Sequence, residues 1–147
     1  MSKQSARDGA WNQTVFEQKA DATLSQANPV SGTLYTVLAT TTKVRIISIE
    51  IHITWGVTQP TPLEIVVTID GVSTIFTVTN PTSGAPYFAS LNANAAANAQ
   101  TLEGTDRTAF GRPFLLEGRS VKIEARITWA TTQPTPLVAR VKYAKIP

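Results

Sequence analysis

A near-verbatim phrase occurs twice in the chain: Ile53-Thr54-Trp55-Gly56-Val57-Thr58-Gln59-Pro60-Thr61-Pro62-Leu63, and then Ile127-Thr128-Trp129-Ala130-Thr131-Thr132-Gln133-Pro134-Thr135-Pro136-Leu137. Both copies sit inside longer matched segments, 43–70 and 117–144. In these, Ile49/Ile123, Ile53/Ile127, Trp55/Trp129, Leu63/Leu137 and Val67/Val141 alternate with Glu50/Glu124, Thr54/Thr128 and Thr68/Lys142. Apolar residues at every second position mark a strand with one buried face. The repeated unit is therefore strand, loop, strand, and two copies, fewer than a solenoid needs, point to one pseudo-symmetric domain.

A chain of 147 residues has room for one domain with a substantial core. Only 16% of its residues are charged, which suits an all-β body whose exterior is built from Thr, Ser, Asn and Gln. The net charge of +3 is scattered along strands. No arginine-rich arm of the kind that neutralises packaged nucleic acid is present, so nucleic-acid binding is not expected. Without cysteine neither a disulfide framework nor a thiolate metal site can form, and redox state does not constrain the compartment. Residues 1–10 lack the apolar stretch of a signal peptide, and no apolar run approaches the roughly 18 residues of a spanning helix. The expectation is a soluble, unsecreted chain with no membrane partner.

Residues 1–32 read as a polar N-terminal arm with isolated apolar side chains at Trp11, Val15, Phe16 and Leu24, and 33–147 as the β domain. A short helix over 12–24 is the one regular element the arm could hold, although no clear cap supports it. In the body, Ile47, Ile49, Ile51, Ile53 and Trp55 share one face of a long strand, with Ser48, Glu50, His52 and Thr54 on the other. Leu63, Ile65, Val67 and Ile69 form the next inward row, and Asp70-Gly71 signals a type I′ hairpin into 73–79. Val121, Ile123, Ala125, Ile127 and Trp129 make another inward row, and a last strand covers 137–145. Residues 92–112, small and without periodicity, read as a long loop or short helical turn of the kind that forms interfaces. About eight strands with an internal duplication suit an antiparallel two-sheet sandwich, a jelly roll; an immunoglobulin-like sandwich is the alternative. In that jelly roll, 43–55 would pair with 119–129 in one sheet and 63–70 with 137–145 in the other. The two proline loops would then lie at opposite ends.

Each proline loop is stiff, because two prolines fix φ and remove two amide donors. It reads first as a rigid crossover between sheets and second as a docking surface, with Gln59, Thr61, Gln133 and Thr135 free to hydrogen-bond a partner. Asn94 and Asn98 offer the same chemistry in the 92–112 stretch. Trp55 and Trp129 end their inward rows, so each indole is expected to cap the core with its N–H on a loop carbonyl. His52, the only histidine, has neither the nucleophile and orienting group of a catalytic dyad nor the companions of a metal site. Asp70, Glu103, Asp106 and Glu117 lack calcium-loop spacing, and the pairs Glu64/Asp70 and Glu103/Asp106 lack any mark of glycosidase acids. No catalytic residue, cofactor site or metal site is assigned, and enzyme activity is not expected.

Three segments carry a resemblance: Lys43-Val44-Arg45-Ile46-Ile47-Ser48-Ile49, Ile65-Val66-Val67-Thr68-Ile69-Asp70-Gly71 and Pro113-Phe114-Leu115-Leu116-Glu117-Gly118. With the cysteine-free β body from about residue 33 onward and the polar arm, they resemble the head decoration, or cement, proteins of tailed bacteriophages. The resemblance implies a structural virion protein made in the host cytoplasm. It implies homotrimers seated on the capsid exterior at local threefold positions and clamping neighbouring major capsid subunits. Trp11 and Phe16 would be anchors, and residues 92–112 with the proline loops would meet the capsid or sister subunits. Two other readings remain open: a carbohydrate- or receptor-binding module, and a small shell-forming capsid protein of single jelly-roll type.

Overall fold

A computed structural model describes residues 18–55, 62–91, 98–104, 116–129 and 136–147. The described residues contain ten strands: β1 (Gln18–Gln26), β2 (Tyr35–Thr40), β3 (Val44–Ile53), β4 (Leu63–Ile69), β5 (Val72–Val78), β6 (Tyr87–Ser90), β7 (Ala99–Glu103), β8 (Leu116–Gly118), β9 (Val121–Ile127) and β10 (Leu137–Lys145). They join in the order β1-β10-β3-β6-β7-β5-β4-β9-β2, with β8 beside β3. The outermost strands β1 and β2 lie against one another, so the sheet is nearly barrel-shaped. All pairs are antiparallel except β5 with β7. The fold is all-β as expected, but it is one mixed sheet: β7 bridges two four-strand runs, β1-β10-β3-β6 and β5-β4-β9-β2.

The repeated units cross-pair, contrary to the pairing expected from sequence. β3 pairs with β10 and β4 with β9, so that Ile53 faces Leu137 and Leu63 faces Ile127. These two rungs are the same rung, used once in each run. The pseudo-twofold axis therefore runs along the strands and exchanges the runs; an axis perpendicular to a sheet would have put each strand beside its own copy and swapped the ends. Because this axis keeps the ends, both proline loops leave and re-enter the body at one end, in place of opposite ends. Gln26 faces Leu137, which faces Ile53; Val78 faces Leu63, which faces Ile127. The segments 27–34 and 79–86 cross between those two sites, since the amide of Gly32 donates to the Ile127 carbonyl and that of Gly84 to the Ile53 carbonyl, both at 2.8 Å.

Residues 18–26, assigned to the arm and to a possible helix, are strand β1. Ala20, Ala22, Leu24 and Gln26 are half-buried while Lys19, Asp21, Thr23 and Ser25 are exposed, a period of two written in small side chains, and the open edge of β10 supplies the ladder for all nine residues. Within 92–112, residues 99–103 are likewise a strand.

Ile46, Ile49, Ile51, Ile53, Leu63, Ile65, Phe76, Ile123, Ile127 and Leu137 are essentially inaccessible and form the core. One expected inward residue is displaced. The β3–β10 register slips between Lys142 and Tyr143, and a bulge flips the parity of every residue beyond it. Val44 and Ile46 are buried in consequence, and Ile47 is only half-buried.

Candidate functional site

The end of the body that holds both proline loops is built from a second repeat, missed in the sequence reading: Asn28-Pro29-Val30-Ser31-Gly32-Thr33-Leu34-Tyr35 and Asn80-Pro81-Thr82-Ser83-Gly84-Ala85-Pro86-Tyr87. Each copy folds the same way. The amide of Thr33 donates to the Val30 carbonyl and that of Ala85 to the Thr82 carbonyl, both at 3.1 Å, with Gly32 and Gly84 at φ of 78° and 77°. This is the type II turn, whose third residue needs the positive φ that glycine supplies without strain. Tyr35 Oη accepts the Val30 amide and Tyr87 Oη the Thr82 amide, each at 2.8 Å.

Both turns grip the tryptophans of the first repeat. Ser31 Oγ accepts the Trp129 amide at 3.0 Å and donates to the Trp129 carbonyl at 3.1 Å. Ser83 Oγ does the same for Trp55, at 3.1 and 3.2 Å. The hydroxyl thus completes backbone hydrogen bonds just where each ladder ends, and buried backbone groups are rarely left unpaired. The indoles differ. Trp55 Nε1 donates to the Pro81 carbonyl at 3.3 Å, as expected; Trp129 Nε1 is buried with no hydrogen-bond partner, against expectation.

Glu103 closes β7 at this end, opposite Phe88, but four of the connections here are uncharged. The connections 27–34, 54–62, 79–86 and 128–136 contain no Asp, Glu, Lys, Arg or His, in a chain with 13 basic and 10 acidic residues. At the other end each short connection is charged: Lys43, Asp70 and Arg119 lie in the segments 41–43, 70–71 and 119–120. There Asp70 Oδ1 accepts the amides of Arg119 and Ser120 at 3.0 and 2.9 Å, and Lys43 lies 3.7 Å from Glu117. Asp70 and Gly71, at φ of 49° and 86°, make the expected type I′ hairpin.

Of the proposed partner-binding residues, Trp11, Phe16, Gln59, Thr61, Gln133, Thr135 and Asn94 lie outside the described residues. Gln59, Thr61, Gln133 and Thr135 belong to segments that start and finish at the end of the two type II turns, at Trp55 and Pro62 and at Trp129 and Pro136. Asn98 is exposed and sits away from that end, before β7, where its carbonyl accepts the Ile75 amide at 3.0 Å.

Hollows also occur elsewhere among the described residues, one of about 450 Å³ lined by Ala39, Thr40, Thr41, Ser120, Val121 and Lys122. Glu50, His52, Val138 and Arg140 line a hollow of about 120 Å³ on the outer face of β3 and β10. A shallow apolar cleft lies between Val67, Ile69, Val72 and Leu116 near the charged end. Among the described residues no group of three or more His, Asp or Glu side chains is placed to hold a metal ion, and no helix is long and apolar enough to cross a membrane. No family model, curated protein or solved structure matches the chain.

Proposed function

We propose that this chain is a structural, non-catalytic virion protein of jelly-roll fold, a capsid decoration or cement protein that works as a homotrimer on the capsid exterior and braces neighbouring major capsid subunits. The strand order carries the reading. With β7 set aside as a bridge and β8 as an addition to β3, the runs β1-β10-β3-β6 and β5-β4-β9-β2 have the order of a jelly roll's two sheets, an architecture used by viral capsid and lectin domains. A rigid body with turns locked by repeated hydrogen bonds suits a clip, because little freedom is lost when a preorganised surface docks.

A second reading, a module that binds neutral carbohydrate, is favoured by one observation: Trp55 is partly exposed between two uncharged connections, 54–62 and 79–86. Trp fluorescence during titration with neutral glycans separates the two, since a saturable shift would support the lectin role.

The deciding measurement is the solution mass of the full chain and of a chain starting at residue 18, by light scattering. A trimer supports the decoration role, closed particles would make the protein the shell itself, and a monomer in both would overturn the oligomeric clip.

A further inference from the structure

We infer that the apolar cleft between β5 and β8 is the seat of Trp11, so that the amino-terminal segment, residues 1–17, folds back across the end of its own chain that holds Lys43, Asp70 and Arg119. The inference concerns the chain by itself and does not rest on the virion reading.

The cleft is an uncovered part of the core. Phe76 on β5 faces Ile65 and is fully buried, and Thr74 and Val72 follow at every second position, opposite Val67 and Ile69, so all three belong to the inward row. Yet exposure climbs along that row from 0% at Phe76 to 71% at Val72, the most exposed large apolar side chain among the described residues. The pairing explains why. β7 lies against β5 only from Ile75 onward, and β8 supplies just three residues, Leu116–Gly118, to the opposite wall. Val67, Ile69, Val72, Thr74, Leu116 and Glu117 are left lining a space of about 370 Å³. An inward-facing valine at such an opening gains burial only from a side chain laid over it.

The place where the chain enters β1 selects the occupant. Gln18 faces Lys145, which faces Val44, which faces Gly118. The segment therefore joins the body at the same end as the cleft, three strand spacings or about 14 Å from its β8 wall. Trp11 precedes Gln18 by seven residues, a span of up to about 23 Å when extended. Val15 and Phe16 are tethered within about 10 Å and fall short. Of these three apolar side chains only Trp11 reaches, and an indole also has the most apolar area to bury. So short a tether holds it at an effective concentration in the millimolar range, which favours the chain's own cleft over that of a second copy. The other hollow at this end, between Thr40, Thr41, Ser120 and Lys122, is lined mainly by hydroxyls and an ammonium group and offers an indole little to pack on.

The full-length chain has no cysteine, so introduced pairs report proximity without background. Asn12→Cys keeps Trp11 in place beside a thiol, and Glu117→Cys puts the second thiol on the exposed rim of the cleft. Asn12→Cys/Thr41→Cys, aimed at the polar hollow of the same end, is the control. Under mild oxidation the first pair should close a disulfide within one chain faster than the control by about tenfold or more, the ratio that about 1.4 kcal/mol of docking gives. Adding Trp11→Ala to the first pair should bring its rate down to that of the control. Val72→Asp, a lesion at an exposed position, should do the same while leaving Trp11 intact, and far-ultraviolet circular dichroism shows that each variant remains folded. A disulfide between two chains would seat Trp11 on a neighbour and overturn the inference. Equal rates in the two pairs, or a rate indifferent to both Trp11→Ala and Val72→Asp, would overturn it as well, the outcome expected if Phe114, two residues before Leu116, fills the cleft instead.

Discussion

Ser31 and Ser83 show how much one hydroxyl can do in this body. Each satisfies an amide and a carbonyl at the tip of a ladder, so Ser31→Ala and Ser83→Ala should each cost about 1–2 kcal/mol in urea unfolding. The two losses should match and add, because the clamps share no partner; a neutral Ser31→Ala would show that the equivalence is only geometric. Gly118 is fixed for a different reason: a Cβ there would strike Ile69 Cγ2 and crowd Asp70. Gly118→Ala should therefore destabilise by about 1–3 kcal/mol, the usual cost of forcing extra volume into a packed site. Trp129 marks where the equivalence of the two copies fails, since its indole N–H has no counterpart of the bond that Trp55 makes to Pro81.

Between elements, the two runs carry the same rungs with different side chains. Arg126 Nε and Nη2 both lie 2.9 Å from Glu64 Oε1 across β9 and β4, where the equivalent pair across β3 and β10 is His52 and Val138. Glu64→Val alone strands a half-buried guanidinium and should cost about 1–3 kcal/mol. Glu64→Val with Arg126→His copies the other run, so the double variant should lose less than the two single changes combined, by on the order of 1 kcal/mol in a double-mutant cycle. Strand β1 differs from its counterpart β5 in having no hairpin to its partner. A chain starting at residue 18 should lose no more of the urea midpoint than Trp11→Ala does, whereas one starting at residue 27 should fall further in midpoint and aggregate through the bared edge of β10. Which elements were legible follows from the strength of their pattern. β3, β4, β9 and β10 announce themselves by alternating Ile and Val, and the Asp70-Gly71 hairpin by its turn residues. β1 was masked by its small inward side chains, Ala20 and Ala22. The Asn-Pro-x-Ser-Gly-x-x-Tyr repeat was masked because the second copy carries β7 and β8 between β6 and β9, which sets the two repeats at different separations along the chain. The cross-pairing, and with it the gathering of both proline loops at one end, depends on the direction of the pseudo-twofold axis, and no local pattern of side chains encodes that.

For the molecule as a whole, most pairing joins strands distant in sequence, with β1 against β10 the extreme. Loop closure must precede reward in such a topology, so refolding followed by Trp fluorescence should take on the order of milliseconds to seconds, and a microsecond phase carrying the full amplitude would contradict it. The cross-pairing has a mechanical corollary. The first repeat unit, β1 to β4, and the second, β5 to β10, alternate within each four-strand run, and the hairpin at Asp70-Gly71 is the covalent joint between them. Cutting that peptide would release no lobe, since neither fragment owns a complete run. The nicked pieces would remain interlaced like the fingers of two hands, held by ladders in both runs, and would come apart only when the whole body melts.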